Sequence, residues 1–376
     1  MPAHPSTTAA AATAVPSFLS LAPDALKALL LSWGEPAFRA QQLHDWIYVK
    51  RVFSLSSMSN LSASLRQRLA THLDWQLPKI HSQMSGADGS TKLLLESERG
   101  FIEAVILRYE GRTSLCVSSQ VGCKLACTFC QTGKLGFVRH LSAAEILAQF
   151  AIADQIVQPE GRRISHVVFM GMGEPLDNYA NVVDAVNRLS GKEAFGLSVR
   201  NVTVSTSGLV PQIRTLAHDV RAALAVSLHA ARDELRTELM PINRRYPLAE
   251  LKAALLDYQK DSGDKLTIEY ILIKDKNCGL REAKELVKFL HGLRAKVNLI
   301  PFNSHPGMPF DRPADEDIRT FQKYLSDRSI AAPVRYSKGL EVSGACGQLA
   351  AKVIQSISAL PQREAVLNRQ VQAPLN

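Results

Sequence analysis

The chain has 376 residues, of which 46% are hydrophobic and 21% charged, with a formal net charge of +9. This composition excludes a disordered or fibrous chain and allows one large core or two unequal ones. No uninterrupted apolar run approaches the ~18 residues of a membrane-crossing helix, so no membrane partner is expected; the positive balance suits a polyanion such as nucleic acid without requiring one.

Residues 1–17, MPAHPSTTAAAATAVPS, lack arginine and a charged-then-apolar order, and read as a disordered tail and not an export signal. A reducing cytoplasm is therefore expected for the cysteines, which cluster at ligand spacing, and a monomer is expected. Residues 18–76 read as a small helical domain, with helical periodicity over Ala22–Trp33, Ala37–Val49 and Asn60–Trp75. Leu61, Leu65, Leu69 and Leu73 form one core stripe. Arg39, His44, Lys50, Arg51, Arg66 and Arg68 give the unit positive charge, open to RNA contact or simply to solvent.

Residues 77–112 read as a β-hairpin linker. Ser85–Ser90 contains the turn pair Asp88-Gly89, followed by strands at Lys92–Leu95 and Phe101–Leu107. From residue 113 to 355 a βα rhythm takes over. Strands are predicted at Thr113–Ser118, His166–Met170, Asn201–Thr206, Ala222–Ser227, Leu266–Ile273 and Lys296–Pro301. Helices are predicted at Ser142–Val157, Tyr179–Leu189, Leu248–Gln259, Arg281–Leu290 and Asp315–Leu325, with Ser142 and Glu145 forming a capping box. Apolar strands joined by helical crossovers predict parallel pairing with helices outside. An extended run at Ala332–Tyr336 leads to the loop carrying Cys346, and residues 356–376 are a peripheral tail.

Cys123, Cys127 and Cys130 stand in C-x3-C-x2-C spacing after the first of these strands. Three soft thiolates on one loop leave a coordination position free, as an iron–sulfur centre with an external ligand needs. Adding Cys116 gives four thiols, and a structural zinc stays open. Polar or glycine-rich groups end the other strands: Gly171 to Pro175, Ser205 to Gly208, Ser227-Leu228-His229 and Asn303. Four such groups at one end of a sheet converge on a ligand. Cys346, between glycines in SGACGQL, is either core or a nucleophile partnered by Cys116; Cys278 is incidental; Glu103 is an edge-strand charge.

From about residue 18 to 355 the chain resembles the dual-specificity adenine-C2 methyltransferases of bacterial RNA, the RlmN family of the radical S-adenosylmethionine (SAM) superfamily. The resemblance rests on GEPAFRAQQLHDWIY, CVSSQVGCKLACTFCQTGKLGF, VVFMGMGEPLDN, VTVSTSG, AVSLHA, LIPFN and ACGQL. It implies an α/β fold, a partial (β/α)6 radical-SAM barrel preceded by a small helical domain and a short β linker. It implies one [4Fe–4S] cluster on Cys123, Cys127 and Cys130, and a SAM pocket lined by Gly173, Glu174, Ser205, Ser227, Leu228, His229 and Asn303.

The same resemblance makes Cys346 the thiol methylated by a first SAM, with a second SAM consumed per turnover as the radical source. Cys116 would resolve the covalent adduct, leaving a disulfide, and Glu103 would accept the proton from C2. That division has a chemical reason: C2 of adenine has no lone pair with which to attack a SAM methyl. The implied partners are 23S rRNA (adenine 2503), tRNA (adenine 37) and an external electron donor. Lys134, Arg139, His140, Arg244 and Arg245 are candidate phosphate contacts. The related C8 methyltransferases that confer antibiotic resistance share nearly all these motifs, and a zinc-containing, non-catalytic RNA-binding protein is the alternative from another class. The closing segment SKGLEVSGACGQL departs from the family form at Lys338, Glu341 and Gly344, where Arg, Asp and Ala are usual.

Overall fold

A computed structural model describes residues 15–304, 308–345 and 347–349. Cys346 and the 356–376 tail lie outside the described residues. The chain divides into two compact units, residues 1–77 and 78–376.

In the first unit, α1 (Pro23–Ser32), α2 (Ala37–His44) and α3 (Ala63–His72) pack around Leu30, Leu43, Ile47, Leu65 and Leu69, all at most 1% exposed. The last turn of α2 widens into a π-type turn over Asp45–Val49, which completes the helix predicted to end at Val49. The helix predicted over Asn60–Trp75 is shorter. Ser62 caps it, its Oγ accepting from Leu65 N, and Leu73 leaves it in extended backbone that keeps the side chain buried. Trp75 then stacks on Phe18 with ring centroids 4.4 Å apart.

The second unit is built on one nine-stranded sheet. Three antiparallel strands lead in: β1 (Ile80–Ser85), β2 (Ser90–Ser97) and β3 (Gly100–Tyr109), followed by β4 (Arg112–Cys116). A separate ribbon of β5 (Gln120–Gly122) and β6 (Phe137–His140) flanks the short α4 (Gln131–Lys134). Then α5 (Ala143–Val157), β7 (His166–Phe169), α6 (Tyr179–Ser190), β8 (Val202–Thr206), α7 (Val210–Asp219) and β9 (Ala223–Ser227) alternate. They are followed by α8 (Asp233–Leu239), α9 (Leu248–Ser262), β10 (Leu266–Leu272), α10 (Leu280–Leu290), β11 (Ala295–Pro301) and α11 (Asp315–Ser326).

The strand order is β1-β2-β3-β4-β7-β8-β9-β10-β11, and β4 and the five strands after it in that order pair in parallel. This is the helix-preceded partial barrel the sequence implied. The 77–112 segment differs from the expectation of a hairpin linker: its strands continue the barrel sheet. β1 was not predicted because all six of its residues are exposed, so IHSQMS carries no apolar alternation. The run at Ala332–Tyr336 forms only an isolated bridge, Leu299 with Val334, along the β11 edge.

The α5 capping box forms as predicted: Ser142 N donates to Glu145 Oε2 (2.9 Å) and Glu145 N to Ser142 Oγ (3.2 Å). Glu145 also takes a two-pronged bond from Arg139 (2.6 and 2.9 Å), which ties the ribbon to the helix. Ser142→Ala is expected to lower the free energy of unfolding by about 1 kcal/mol, seen as a lower urea midpoint at unchanged slope.

Candidate active site

Directly paired residues on neighbouring strands share a face, and side chains alternate along each strand. The register therefore places many groups without further assumption. Glu103 is two residues from Val105, which pairs with Cys116; Cys116 pairs with Val168. Val168 pairs with Thr203, two before Ser205; Ser205 pairs with Ala225, two before Ser227; Ser227 pairs with Glu269, and Glu269 with Asn298. One face of one sheet thus carries Glu103, Cys116, Ser205, Ser227, Glu269 and Asn298.

The cavity at the carboxyl ends of these strands is lined by Cys123, Cys127 and Cys130 on one side. Gly173, Glu174, Ser205, Ser227 and His229 line the other. The cysteine loop is held by Cys123 N to Gly136 O (2.9 Å), Cys130 N to Cys127 O (3.1 Å) and Thr128 N to Leu239 O (3.0 Å). Burial and, secondarily, neighbouring negative groups push the Cys123 thiol up to about 12 and Cys127 in the same direction. Crowded thiols of this kind ionise when a metal shares their charge. Among the described residues no group of three or more His, Cys, Asp or Glu converges on a point fit for one ion. Three thiols lining one cavity instead fit three corners of an iron–sulfur cube.

Two glycines let the second strand end approach. A Cβ on Gly171 would stand 2.6 Å from Val117 O, and Gly173 combines φ +101° with a Cβ position 2.6 Å from the Gln120 side chain. Glu174 is 2% exposed; one oxygen accepts from Leu176 N (3.0 Å), the other from Ser207 N (2.8 Å). Burial raises its pKa against the pull of these bonds. The side chains of Thr206 and Ser207 bond the same carboxylate, which is held at the cavity wall.

His229 adopts φ +57°, which turns Nδ1 to accept from Ile271 N (3.1 Å). Burial, and then the nearby Arg236, hold it at about 3, so it is neutral with its proton on Nε2. Leu228 is fully buried and is not among the residues lining the cavity; its N–H donates to Glu269 O (3.0 Å). Asn303 is not among the residues lining the cavity; its Nδ2 donates to Ser337 Oγ (2.8 Å).

Two residues escaped the sequence reading. Glu269 lines the cavity, 7% exposed and bonded by Asn298 Nδ2 (2.9 Å); an acidic residue in the apolar run TIEYILI was the available signal. Arg236 is fully buried, donating to Asn243 Oδ1 (2.8 Å), Ser207 O (2.7 Å) and Ser227 O (3.4 Å). It cross-braces two of the strand ends that form the site.

The closing loop lies along the same sheet. Gln131 N donates to Gly347 O (2.8 Å), and Gly347 lines the cavity. Leu349 packs with Val105 and Met172, with Cys116 against the cluster they form. The departures at Lys338 and Glu341 acquire a role here. Lys338 Nζ donates to Asp88 O (2.9 Å) and Arg108 O (2.8 Å) and sits 4.6 Å from the Tyr109 ring centroid. Gly339 N donates to Asp88 Oδ2 (2.6 Å), and Glu341 Oε2 accepts from Ala87 N (3.0 Å). The turn pair Asp88-Gly89 is thus the anchorage of the loop. A Cβ on Gly344 would meet Val105 and Val342 at ordinary contact distances, so the usual Ala would fit.

Cys278 lies apart, in the turn before α10, its thiol raised chiefly by burial. Among the basic candidates, Lys134, His140, Arg244 and Arg245 are exposed, whereas Arg139 is half-buried against Glu145.

Residues 17–74 match the family described as the ribosomal RNA large subunit methyltransferase N-terminal domain, and residues 117–290 match the radical SAM superfamily. The chain is 45% identical to the dual-specificity RNA methyltransferase RlmN of Nitratiruptor sp. over 84% of its own length and 94% of that protein's. It is 42% identical to the one from Francisella tularensis over 90% and 93%. A crystal structure of a radical SAM methyltransferase from Sphaerobacter thermophilus superposes with a TM-score of 0.85 at 41% identity, covering 89% of this chain and 98% of that one.

Arg236→Lys removes the guanidinium fork that reaches three acceptors and is expected to cost about 1–3 kcal/mol of stability, measured by urea unfolding. An unchanged midpoint would remove the bracing role.

Proposed function

This chain belongs to the RlmN family of dual-specificity RNA methyltransferases in the radical SAM superfamily, and from that premise we propose that it methylates C2 of adenine 2503 in 23S rRNA and of adenine 37 in tRNA. The observation that carries this reading is the bond from Gln131 N to Gly347 O: it ties the closing loop, beside Cys346, to the residue after Cys130. The closing segment and the loop of Cys123, Cys127 and Cys130 are then neighbours at one cavity.

Cys123, Cys127 and Cys130 would hold a single [4Fe–4S] cluster. A bound cluster with SAM supplies one-electron cleavage of a carbon–sulfur bond, the source of reactivity toward an unactivated C–H group. Two SAM molecules per turnover serve in succession, one as methyl donor and one as radical source. The protein contributes placement and exclusion of water. Glu174 and the Gly173 backbone would receive the amino group of SAM. Ser205, Ser227 and neutral His229 would donate to its oxygens and nitrogens. Asn303, held by Ser337, and the Leu228 backbone would complete the pocket from its edge.

The methyl group carried on Cys346 Sγ would give one hydrogen atom to the radical that the second SAM supplies, and its carbon would then bond C2 of the base. The Glu103 carboxylate would take the C2 proton as one electron is returned. Cys116 Sγ then attacks Cys346 Sγ, breaking the sulfur–carbon bond; the departing carbon keeps the electron pair, takes a proton to become the methyl group of the product, and a disulfide is left that an external reductant must open. Glu103 and Cys116 belong to one sheet face, two positions apart across the β3–β4 pair, which supports their acting in turn on one protein–base adduct.

The base must be presented out of folded RNA, and exposed Lys134, His140, Arg244 and Arg245 are phosphate contacts in this reading, with Arg139 set behind them. Among the described residues no helix is long and apolar enough to cross a membrane; we place the enzyme in the cytoplasm as a monomer supplied by an electron donor.

Anaerobically reconstituted protein with SAM, a reductant and unmodified 23S rRNA is expected to yield 2-methyladenine by mass spectrometry of nucleosides. A C8 product would assign the chain to the resistance-type chemistry. Cys346→Ala is expected to keep its iron and sulfide while yielding no methylated adenine; normal methylation would refute the carrier role.

A further inference from the structure

Lys92 is a lysine at 8% exposure, and lysines are rarely so buried without a partner. Its Nζ lies 3.0 Å from Glu103 Oε1, and Glu103 is itself 2% exposed. The register makes this contact a property of the sheet. Leu94 pairs with Glu103 and Lys92 with Val105, so Lys92 and Glu103 are diagonal neighbours on the face that also bears Cys116. The same ammonium donates to Ser343 O at 3.4 Å, in the closing loop three residues before Cys346. The strand backbone is fixed from the other side: Ser118 Oγ donates to Glu103 O (2.6 Å) and accepts from Met172 N (2.9 Å).

We propose that Lys92 is a positioning residue that joins the proton-accepting carboxylate of Glu103 to the closing loop, so that the carboxylate is aimed at the base when the thiol-bearing loop is seated. The inference rests on the reading of Glu103 as proton acceptor. An ammonium suits the task because its three donors satisfy a carboxylate and a carbonyl at once. A carboxylate buried without that cation would be costly to keep charged. The loop is seated independently by the contacts of Lys338, Gly339 and Glu341 to the turn at residues 86–89, so Lys92 is not needed to hold it closed.

The test uses full-length, cluster-loaded protein with SAM, dithionite as reductant, and 23S rRNA deuterated at adenine C2. It compares wild type, Lys92→Met, Lys92→Arg and Glu103→Gln. Three quantities are read: methylation of Cys346 without RNA, by peptide mass spectrometry; the lifetime of the covalent protein–RNA adduct, on denaturing gels; and the isotope effect on its decay. Lys92→Met is expected to methylate Cys346 as wild type does, yet to resolve the adduct about 10- to 100-fold more slowly, with a primary deuterium effect that wild type lacks. Lys92→Arg is expected to recover much of the rate. Should Lys92→Met fail to fold, as judged by its thermal melt, Lys92→Gln carries the same expectation.

Adduct decay at the wild-type rate in a folded Lys92 variant overturns the proposal. So does loss of Cys346 methylation in that variant, since Lys92 would then act on the loop and not on Glu103. Normal adduct decay in Glu103→Gln would instead overturn the assignment of the proton acceptor, a failure distinct from the other two.

Discussion

Alternation of side chains across one continuous sheet is the constraint on which the rest of the molecule depends. A one-residue slip in any strand would send its inward side chains to the helical side. Because β3 pairs with β4, and β4 with β7, the face bearing Glu103 and Cys116 is the face bearing Ser205, Ser227 and Glu269. The antiparallel strands that precede the barrel therefore share their inward face with the barrel strands. Side chains set on strands are also placed more rigidly than side chains on loops.

The closing loop is the complement to this rigidity. It is held by several polar contacts to backbone groups: Lys338 to two carbonyls, Asp88 to Gly339 N, Glu341 to Ala87 N and Gln131 N to Gly347 O. Individually such bonds are worth about 1 kcal/mol net; together they act beside the buried side chains of Val342, Ala345 and Leu349. Arg236 plays the corresponding part beneath the strand ends, where it satisfies the carbonyls of Ser207 and Ser227. Both devices act on backbone geometry and leave the cavity-facing side chains to the ligand.

Much of this was legible in the sequence because the barrel strands are apolar runs ended by abrupt polar groups. HVVFMGMGEP, VTVSTSG and AVSLHA each show where a strand stops and chemistry begins. The cysteine spacing was equally plain, and these stretches lie where the matches to known proteins are found. What stayed hidden lacked such contrast. β1 is exposed on every residue, so nothing in its composition separates it from a loop. α8 is a short helix whose one fully buried charge, Arg236, looks on paper like any surface arginine. Glu269 was overlooked because its strand was read as wholly apolar; inward and outward positions must be counted along it before the carboxylate stands out. Asn303 shows the converse: a polar residue past a strand end whose bond goes to Ser337.

The central claim is spatial: the loop that carries Cys346 is seated over Val105 and Cys116. Peptide mapping of protein mildly oxidised in the absence of RNA tests it directly. A predominant cross-link between the peptides of Cys116 and Cys346 is the result this account predicts. Pairing of Cys346 mainly with Cys278, or its persistence as a free thiol while Cys116 pairs elsewhere, would contradict it.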